Sequence, residues 1–339
     1  MIDTQLKEVA SFKREEKKSL RQITRPVSDD LTEFRTFYKK ALRTDVFVLD
    51  QIVQYLLRQK GKEIRPTLVF MSARLFGDVT ERSYIAATMI ELLHTATLIH
   101  DDVVDDAEVR RGFLSINKVW KNKASVLLGD FLLSKGLLTA LEYEEFRLLK
   151  VLSEAVKSMS EGELRQFKAA RLFNMDEEYY FKVISEKTAS LIAACCECGA
   201  ISTSDDPAHH QKMHDIGMYT GIAFQIRDDL FDYGVGDIGK PKRNDIQERK
   251  VTLPFTKALD NASVTETIRI RYLMRKRSKS QSDIDNIVSF VHDKGGMEYA
   301  RSIMNDYASQ ARSELSTLPE SGTRQAFEDL IEFIISRKK

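Results

Sequence analysis

Apolar residues recur along this chain at spacings of three and four, over stretches of twenty residues and more. SYIAATMIELLHTATLIHDDVVDD, residues 83–106, carries that period without interruption until it ends in acids. A 3.6-residue period of this length reads as helix. The same pattern predicts helices over 67–75, 81–106, 124–140, 141–171 (irregular near Gly162), 176–201, 207–232, 244–260, 262–275, 282–317 and 322–337. Residues 1–60 read as helices broken at Arg25-Pro26. Gly61 can end one helix and Pro66 can open the next. Gly77-Asp78 is a turn, and Arg110-Arg111-Gly112 opens a loop to about Asn122. Asp176 and Asp205-Asp206-Pro207 are start signals. No linker of the kind that separates domains interrupts the series, so residues 1–339 are expected to form one all-α domain.

Composition sharpens this. With 15 Gly and 6 Pro in 339 residues, and no Pro between Pro66 and Pro207, the chain lacks the turn residues of a sandwich or barrel. Lys+Arg 52 against Asp+Glu 51 leaves no basic excess for nucleic acid. The N-terminal stretch has no apolar h-region, and no uninterrupted apolar run reaches the ~18 residues of a membrane span. Cys195, Cys196 and Cys198 sit together in LIAACCECGA, with no second cluster for a zinc site. They read as small buried hydrophobes in a reducing cytosol, which makes a cytoplasmic location the expectation.

The chemistry lies in an internal echo. DDVVD at 101–105 recurs as DDLFD at 228–232, each after an apolar helical stretch. Helical spacing lets Asp101, Asp102 and Asp105 converge near one helix end, and Asp228, Asp229 and Asp232 repeat the arrangement. Such stacking is costly without a cation. Hard oxygen ligands on two walls of a cleft suit Mg²⁺, which binds through one or two carboxylates plus phosphates and waters. Basic residues accompany them: Lys62 and Arg65 in GKEIRP, Arg110-Arg111, Lys187, Lys240 and Lys250. Arg forks and Lys point charges both bind phosphate oxygens. The residues describe a Mg²⁺-dependent helical enzyme handling a diphosphate beside an apolar cavity.

HTATLIHDDVVDDAEVRRG and GIAFQIRDDLFDYGVGDIGKP resemble the two aspartate-rich motifs of the trans-isoprenyl diphosphate synthases. GKEIRP, KASVLLGDFLLSKG, SEGEL, KTASL and GGMEYAR are similar to that family in the same order, over about residues 45–337; residues 1–44 read as an N-terminal helical extension. The resemblance implies a helical bundle of the isoprenoid synthase type with a central substrate cavity. It implies a head-to-tail prenyltransferase, in which an allylic diphosphate such as farnesyl diphosphate ionises and isopentenyl diphosphate attacks. Asp101, Asp102, Asp105, Asp228 and Asp229 would hold metal directly or through water, with Asp232 behind them. Three Mg²⁺ ions per site are implied, replaceable by Mn²⁺. Arg110, Lys187, Lys240 and Lys250 would serve the allylic diphosphate; Lys62, Arg65, His94 and Arg111 would bind isopentenyl diphosphate. Thr188 and Gln225 would face the cationic carbons. A homodimer is implied as well. Phe113-Leu114-Ser115, Lys242-Arg243 and ERK at 248–250 depart from the family's usual pattern, without removing a charged ligand.

Product length depends on the helix before Asp101. Thr97 and Ala96 lie four and five residues earlier, about 6–7.5 Å deeper. The family places aromatic residues there to stop growth; these two are small, and Leu93 follows. Leu128, Phe131, Leu132 or Leu152 is expected to floor the tunnel. The product is expected near octaprenyl, as for quinone side chains, and can partition to membrane. Rival readings are a shorter-chain synthase, a terpene cyclase, a metal phosphohydrolase using His100-Asp101 and His292-Asp293, and a partner-dependent or regulatory subunit.

Overall fold

A computed structural model describes residues 18–59, 61–110, 112–172, 176–234 and 244–336. The helices in chain order are α1 (Leu20–Ile23), α2 (Ser28–Ala41), α3 (Phe47–Arg58), α4 (Ile64–Arg74) and α5 (Glu81–Val104). Two-residue strands β1 (Val109–Arg110) and β2 (Phe113–Leu114) pair antiparallel, turning at Gly112 with φ +81°. There follow α6 (Ile116–Glu142), α7 (Phe146–Leu172), α8 (Glu177–Ile184), a π-helical turn (Ser185–Ala189), α9 (Ser190–Ile201) and α10 (Pro207–Tyr233). The series ends with α11 (Asn244–Gln247), α12 (Leu253–Asp260), α13 (Val264–Arg275), α14 (Gln281–Asp293), α15 (Gly296–Ser316) and α16 (Gly322–Ser336).

The all-α expectation holds, and the helix starts follow local chemistry. Asp176 accepts the Tyr179 N–H at 2.8 Å and Asp206 the Ala208 N–H at 2.8 Å, each satisfying an orphan donor of the first turn. Four expected elements divide. The 282–317 helix breaks at Gly295, whose φ of +72° no continuing helix can take. The 244–260 helix breaks around Arg249 at φ +63°. The 176–201 helix holds a π turn, and the 110–122 loop is the β1–β2 hairpin followed by the first turns of α6, where Lys121 at φ 71° kinks the chain.

Helix α5 runs through the centre, against α6 on one side and α4 and α9 on others. Its middle is sealed: Met89 and Ile90 are 0% exposed. Helix α10 crosses α9 closely because of two glycines a turn apart. A Cβ on Gly217 would stand 2.6 Å from the Ala193 Cα, and one on Gly221 2.6 Å from the Ala189 Cα. The obstacle is backbone, so it cannot rotate away. Gly217→Ala is expected to cost about 1–3 kcal/mol through overpacking, read as a lower urea midpoint; Gly77→Ala, whose nearest neighbour would be 3.5 Å away, serves as the near-neutral control.

Helix α6 is long and apolar enough, by length and composition, to cross a membrane, although Asp130, Ser134 and Lys135 interrupt it so that no unbroken apolar run of that length occurs. One side is sealed in the core through Leu128 and Leu132, and Gly129 admits the His100 ring. Cys195, Cys196 and Cys198 are free and buried in α9; burial pushes the Cys196 thiol up to about 12.

Candidate active site

Both aspartate clusters end helices. Asp101 and Asp102 occupy the last turn of α5 and Asp105 caps it; Asp228, Asp229 and Asp232 occupy the last turns of α10. Neither last turn contains a basic residue. A helix C-terminus carries partial negative charge, so carboxylates there repel the dipole as well as each other. Two such ends in one cleft gain from a cation.

Each cluster divides the same way. The second aspartate is sealed and the first is half-buried. Asp102 is 6% exposed and takes the Arg110 guanidinium through Nε at 2.8 Å, while its carbonyl accepts the Asn117 amide at 3.1 Å. Asp229 is 0% exposed. It accepts the Tyr180 hydroxyl at 2.7 Å, the Gln225 amide at 2.9 Å and the Lys250 ammonium at 3.4 Å. Asp101 and Asp228 are half-buried and Asp105 is exposed. Spacings of four, Asp101 to Asp105 and Asp228 to Asp232, put these carboxylates along one face of each helix end.

This group is electrostatically strained. Burial and the Glu163 and Asp105 charges raise the Asp101 pKa. Burial, then the Asp245 charge, push Asp232 up to about 6, against the backbone N–H donated by Asp245 and the Lys250 charge. Glu248 is raised by burial and by charges from both walls, Asp245 and Asp105. Lys187 lowers Asp101 on one wall and Asp245 and Glu248 on the other, so its ammonium stands between them. It pairs with Glu163 at 2.5 Å. The π turn that carries Lys187 and Thr188 rests on Gly162 of α7, where a Cβ would meet the Lys187 nitrogen at 2.6 Å. π turns inside helices are frequent at functional sites.

A polar chain follows from that turn. The Thr188 hydroxyl donates to the Gln225 amide oxygen at 2.7 Å, Gln225 donates to Asp229, and Lys250 joins Asp229 to Asp245 at 3.1 Å. Thr188, Gln225 and Lys250 thus assemble around the second cluster. Tyr180 and Asp245 belong with them and were missed by sequence reading; Tyr180 sits seven residues before Lys187, two turns along the same side, which is the signal that could have found it. Arg65 is held by Glu91 at 2.9 Å, one turn from half-buried His94, while Lys62 is exposed on the segment before. Arg111 and Lys240 lie outside the described residues, as does the 337–339 tail. His100 and His292 are apart, facing the carbonyls of Val126 at 3.3 Å and Tyr233 at 2.9 Å, which is no shared metal site.

The donor set fits a hard divalent cation. It is all oxygen and short of positive charge, yet among the described residues no three His, Cys, Asp or Glu side chains could hold an ion by themselves. Oxygens from a bound diphosphate would complete such a shell. Behind it, Ala96 at 1% and Leu93 at 3% exposure are sealed, whereas Thr97 is half-buried on the side of Asp101.

Asp232 carries a pH signature. Its carboxyl is raised in the folded chain, so between about pH 4 and 6 the folded state keeps a proton that the unfolded state releases. Stability from this group is present at low pH and lost as pH rises through 6. Asp232→Asn is therefore expected to stabilise the metal-free protein by about 2 kcal/mol at pH 7.5 and not at pH 4. Urea unfolding in chelator at both pH values checks this; equal midpoints for variant and wild type at pH 7.5 would contradict it.

The "Polyprenyl synthetase" family model matches residues 46–291. The chain is 31% identical over 323 residues to the octaprenyl diphosphate synthase of Escherichia coli K12, covering 95% of this chain and all of the relative. It is 30% identical to heptaprenyl diphosphate synthase component 2 of Bacillus subtilis, covering 92% of this chain and 89% of the relative. The crystal structure of a Caulobacter crescentus CB15 polyprenyl synthase, complexed with calcium and isoprenyl diphosphate, superposes with a TM-score of 0.87 at 30% identity, over 96% of this chain and all of that one. With its helical fold, its paired acidic helix ends and these likenesses over nearly its whole length, the chain belongs to the polyprenyl synthetase family and is a trans-prenyltransferase.

Proposed function

We propose that the enzyme condenses isopentenyl diphosphate with farnesyl or a similar allylic diphosphate, making an all-trans product near octaprenyl for quinone side chains. The carrying observation is the pair of acidic helix ends with Lys187 acting on carboxylates of both walls. Asp101, Asp105 and Asp228 would hold the ions, and Asp102 and Asp229 would position their neighbours from behind. Bound Mg²⁺, three ions or Mn²⁺ in their place, would supply Lewis-acid stabilisation to the departing diphosphate.

The chain's own groups do the rest. Lys187, and Arg110 after release from Asp102, bind the allylic diphosphate oxygens, with Lys240 and Lys250 in support. Lys62, Arg65, His94 and Arg111 bind isopentenyl diphosphate. The Thr188 and Gln225 oxygens direct negative dipoles at the allylic cation, and the apolar wall below Asp101 keeps water from it. Small Thr97 on the half-buried side leaves the wall open beyond a short chain, in keeping with the octaprenyl product named for the Escherichia coli relative.

Radiolabelled isopentenyl diphosphate with farnesyl diphosphate and Mg²⁺, followed by dephosphorylation and chromatography, is expected to show products ending near octaprenol, abolished by EDTA. A ladder ending at geranylgeraniol would make it a shorter-chain synthase. No turnover by the purified chain would make it a subunit, the reading suggested by the "component 2" name of the Bacillus subtilis relative.

A cytosolic homodimer completes the proposal. Val119, Val126, Leu127, Leu137, Leu138 and Leu141 expose an apolar face along α6, each at least 39% exposed. Such a face on a long core-packed helix suits an isologous contact with a second copy. Sedimentation is expected to give a dimer, and Leu127→Glu with Leu138→Glu a monomer.

A further inference from the structure

Helix α13 is apolar on two opposite sides. Ile270, Leu273 and Met274 are buried, facing inward. Val264, Ile268 and Tyr272 are 76%, 65% and 66% exposed. At 100° per residue these three fall within 80°, opposite the buried side. Arg271 and Arg275 fall on the same outward arc, making it about 100° wide, and exposed Arg269 and Arg277 flank it. Two nearby acids are engaged elsewhere: Glu266 pairs with Lys294 at 2.9 Å and Asp283 with Lys276 at 2.7 Å. The outward face sets exposed apolar side chains beside exposed Arg269 and Arg271. Neither the catalytic cleft nor the α6 face uses it; α13 packs on α14, whereas α6 packs on α3, α5 and α7.

We propose that this face of α13 docks the enzyme on an anionic lipid bilayer. The charge decides for an anionic surface, since apolar side chains set among arginines are the make-up of helices that lie in the headgroup layer. Tyr272 puts an apolar ring and a polar tip at that depth, with the Lys276 ammonium 5.7 Å from the ring centroid. The size decides for lipid over protein. Val264 to Tyr272 spans about 12 Å of one convex helix, far below the roughly 800 Å² per partner of a specific protein interface. Shallow insertion needs no partner groove. The reading is independent of product length, although an enzyme that releases an amphiphile gains from standing where its product dissolves.

The test is co-sedimentation of the full chain with sucrose-loaded vesicles, of phosphatidylcholine alone or mixed with phosphatidylglycerol. Binding is expected to the mixed vesicles only, and to weaken with salt. Arg269→Gln with Arg271→Gln is expected to reduce partitioning about twenty-fold, near five-fold for each charge, and Ile268→Asp to abolish it. Turnover in detergent and the unfolding midpoint stay at wild-type values in these variants. Leu127→Glu with Leu138→Glu, on α6, retains lipid binding. Equal binding to neutral vesicles, or wild-type binding by the α13 variants, overturns the proposal. So does loss of binding only in the α6 variant. A change of sedimentation coefficient in Ile268→Asp would assign the face to a second copy instead.

Discussion

Asp101→Asn and Asp228→Asn are each expected to lower kcat by on the order of 10³-fold, and Asp101→Asn to leave the fold as stable as wild type or more so. The reason is the division within each aspartate pair. The first carboxylate is half-buried at a helix C-terminus, and at Asp101 burial and like charges raise its pKa. Neutralising it relieves repulsion in the unliganded protein and removes a ligand when diphosphate arrives; losing one preorganised electrostatic contact of this kind costs 10²–10³ or so in rate. Asp229→Ala is expected to behave in the opposite way. That carboxylate is sealed and receives Tyr180, Gln225 and Lys250. Removing it strands the buried Tyr180 phenol and leaves Lys250 with Asp245 alone, at a cost of about 1–3 kcal/mol. Turnover over a Mg²⁺ titration, beside urea unfolding, separates the two classes. Wild-type kcat in Asp228→Asn would end the assignment of ligands to the first aspartates, and wild-type stability in Asp229→Ala would end that of anchors to the second.

That division could not be read from DDVVD and DDLFD. Periodicity placed both motifs at helix ends, because an apolar run that stops at acids is a one-dimensional signal. Which acid of a pair turns inward depends on what stands across from it. Arg110 reaches Asp102 only because the chain turns back at Asp106, φ 54°, just past the helix end, and Tyr180 reaches Asp229 from 49 residues away. The same holds for the elements that divided. Gly295-Gly296 is a visible break, yet the helical period on either side hides it; Gly296 is needed because a Cβ there would stand 2.1 Å from the Pro254 carbonyl oxygen, a contact from another element. The π turn at Ser185–Ala189 has no sequence period of its own and follows from the close seat of Gly162 against Lys187. The outward side of α13 was legible in principle, since Val264, Ile268 and Tyr272 repeat every fourth residue. Only burial tells which of that helix's two apolar sides faces the core.

Thr97→Phe is expected to shorten the product to the farnesyl or geranylgeranyl range, and to do so more cleanly than Ala96→Phe. The two residues are neighbours in sequence but 100° apart around α5. Thr97 lies about 6 Å along the helix from Asp101, on the half-buried side. A phenyl ring there projects into the path of a chain whose diphosphate is held at Asp101. Ala96 is 1% exposed and belongs to the apolar seam formed with Leu92, Ile99, Leu128 and Leu132. A ring at Ala96 has to displace that seam, costing about 1–3 kcal/mol, and narrows the tunnel only as α6 moves. Ala96→Phe is thus expected to lower the unfolding midpoint along with product length, whereas Thr97→Phe lowers product length alone. Chromatography of dephosphorylated products from both variants, with unfolding curves alongside, reads the difference. An unchanged distribution in Thr97→Phe would mean that the growing chain leaves α5 above its first turn, and that the wall limiting its length belongs to another helix.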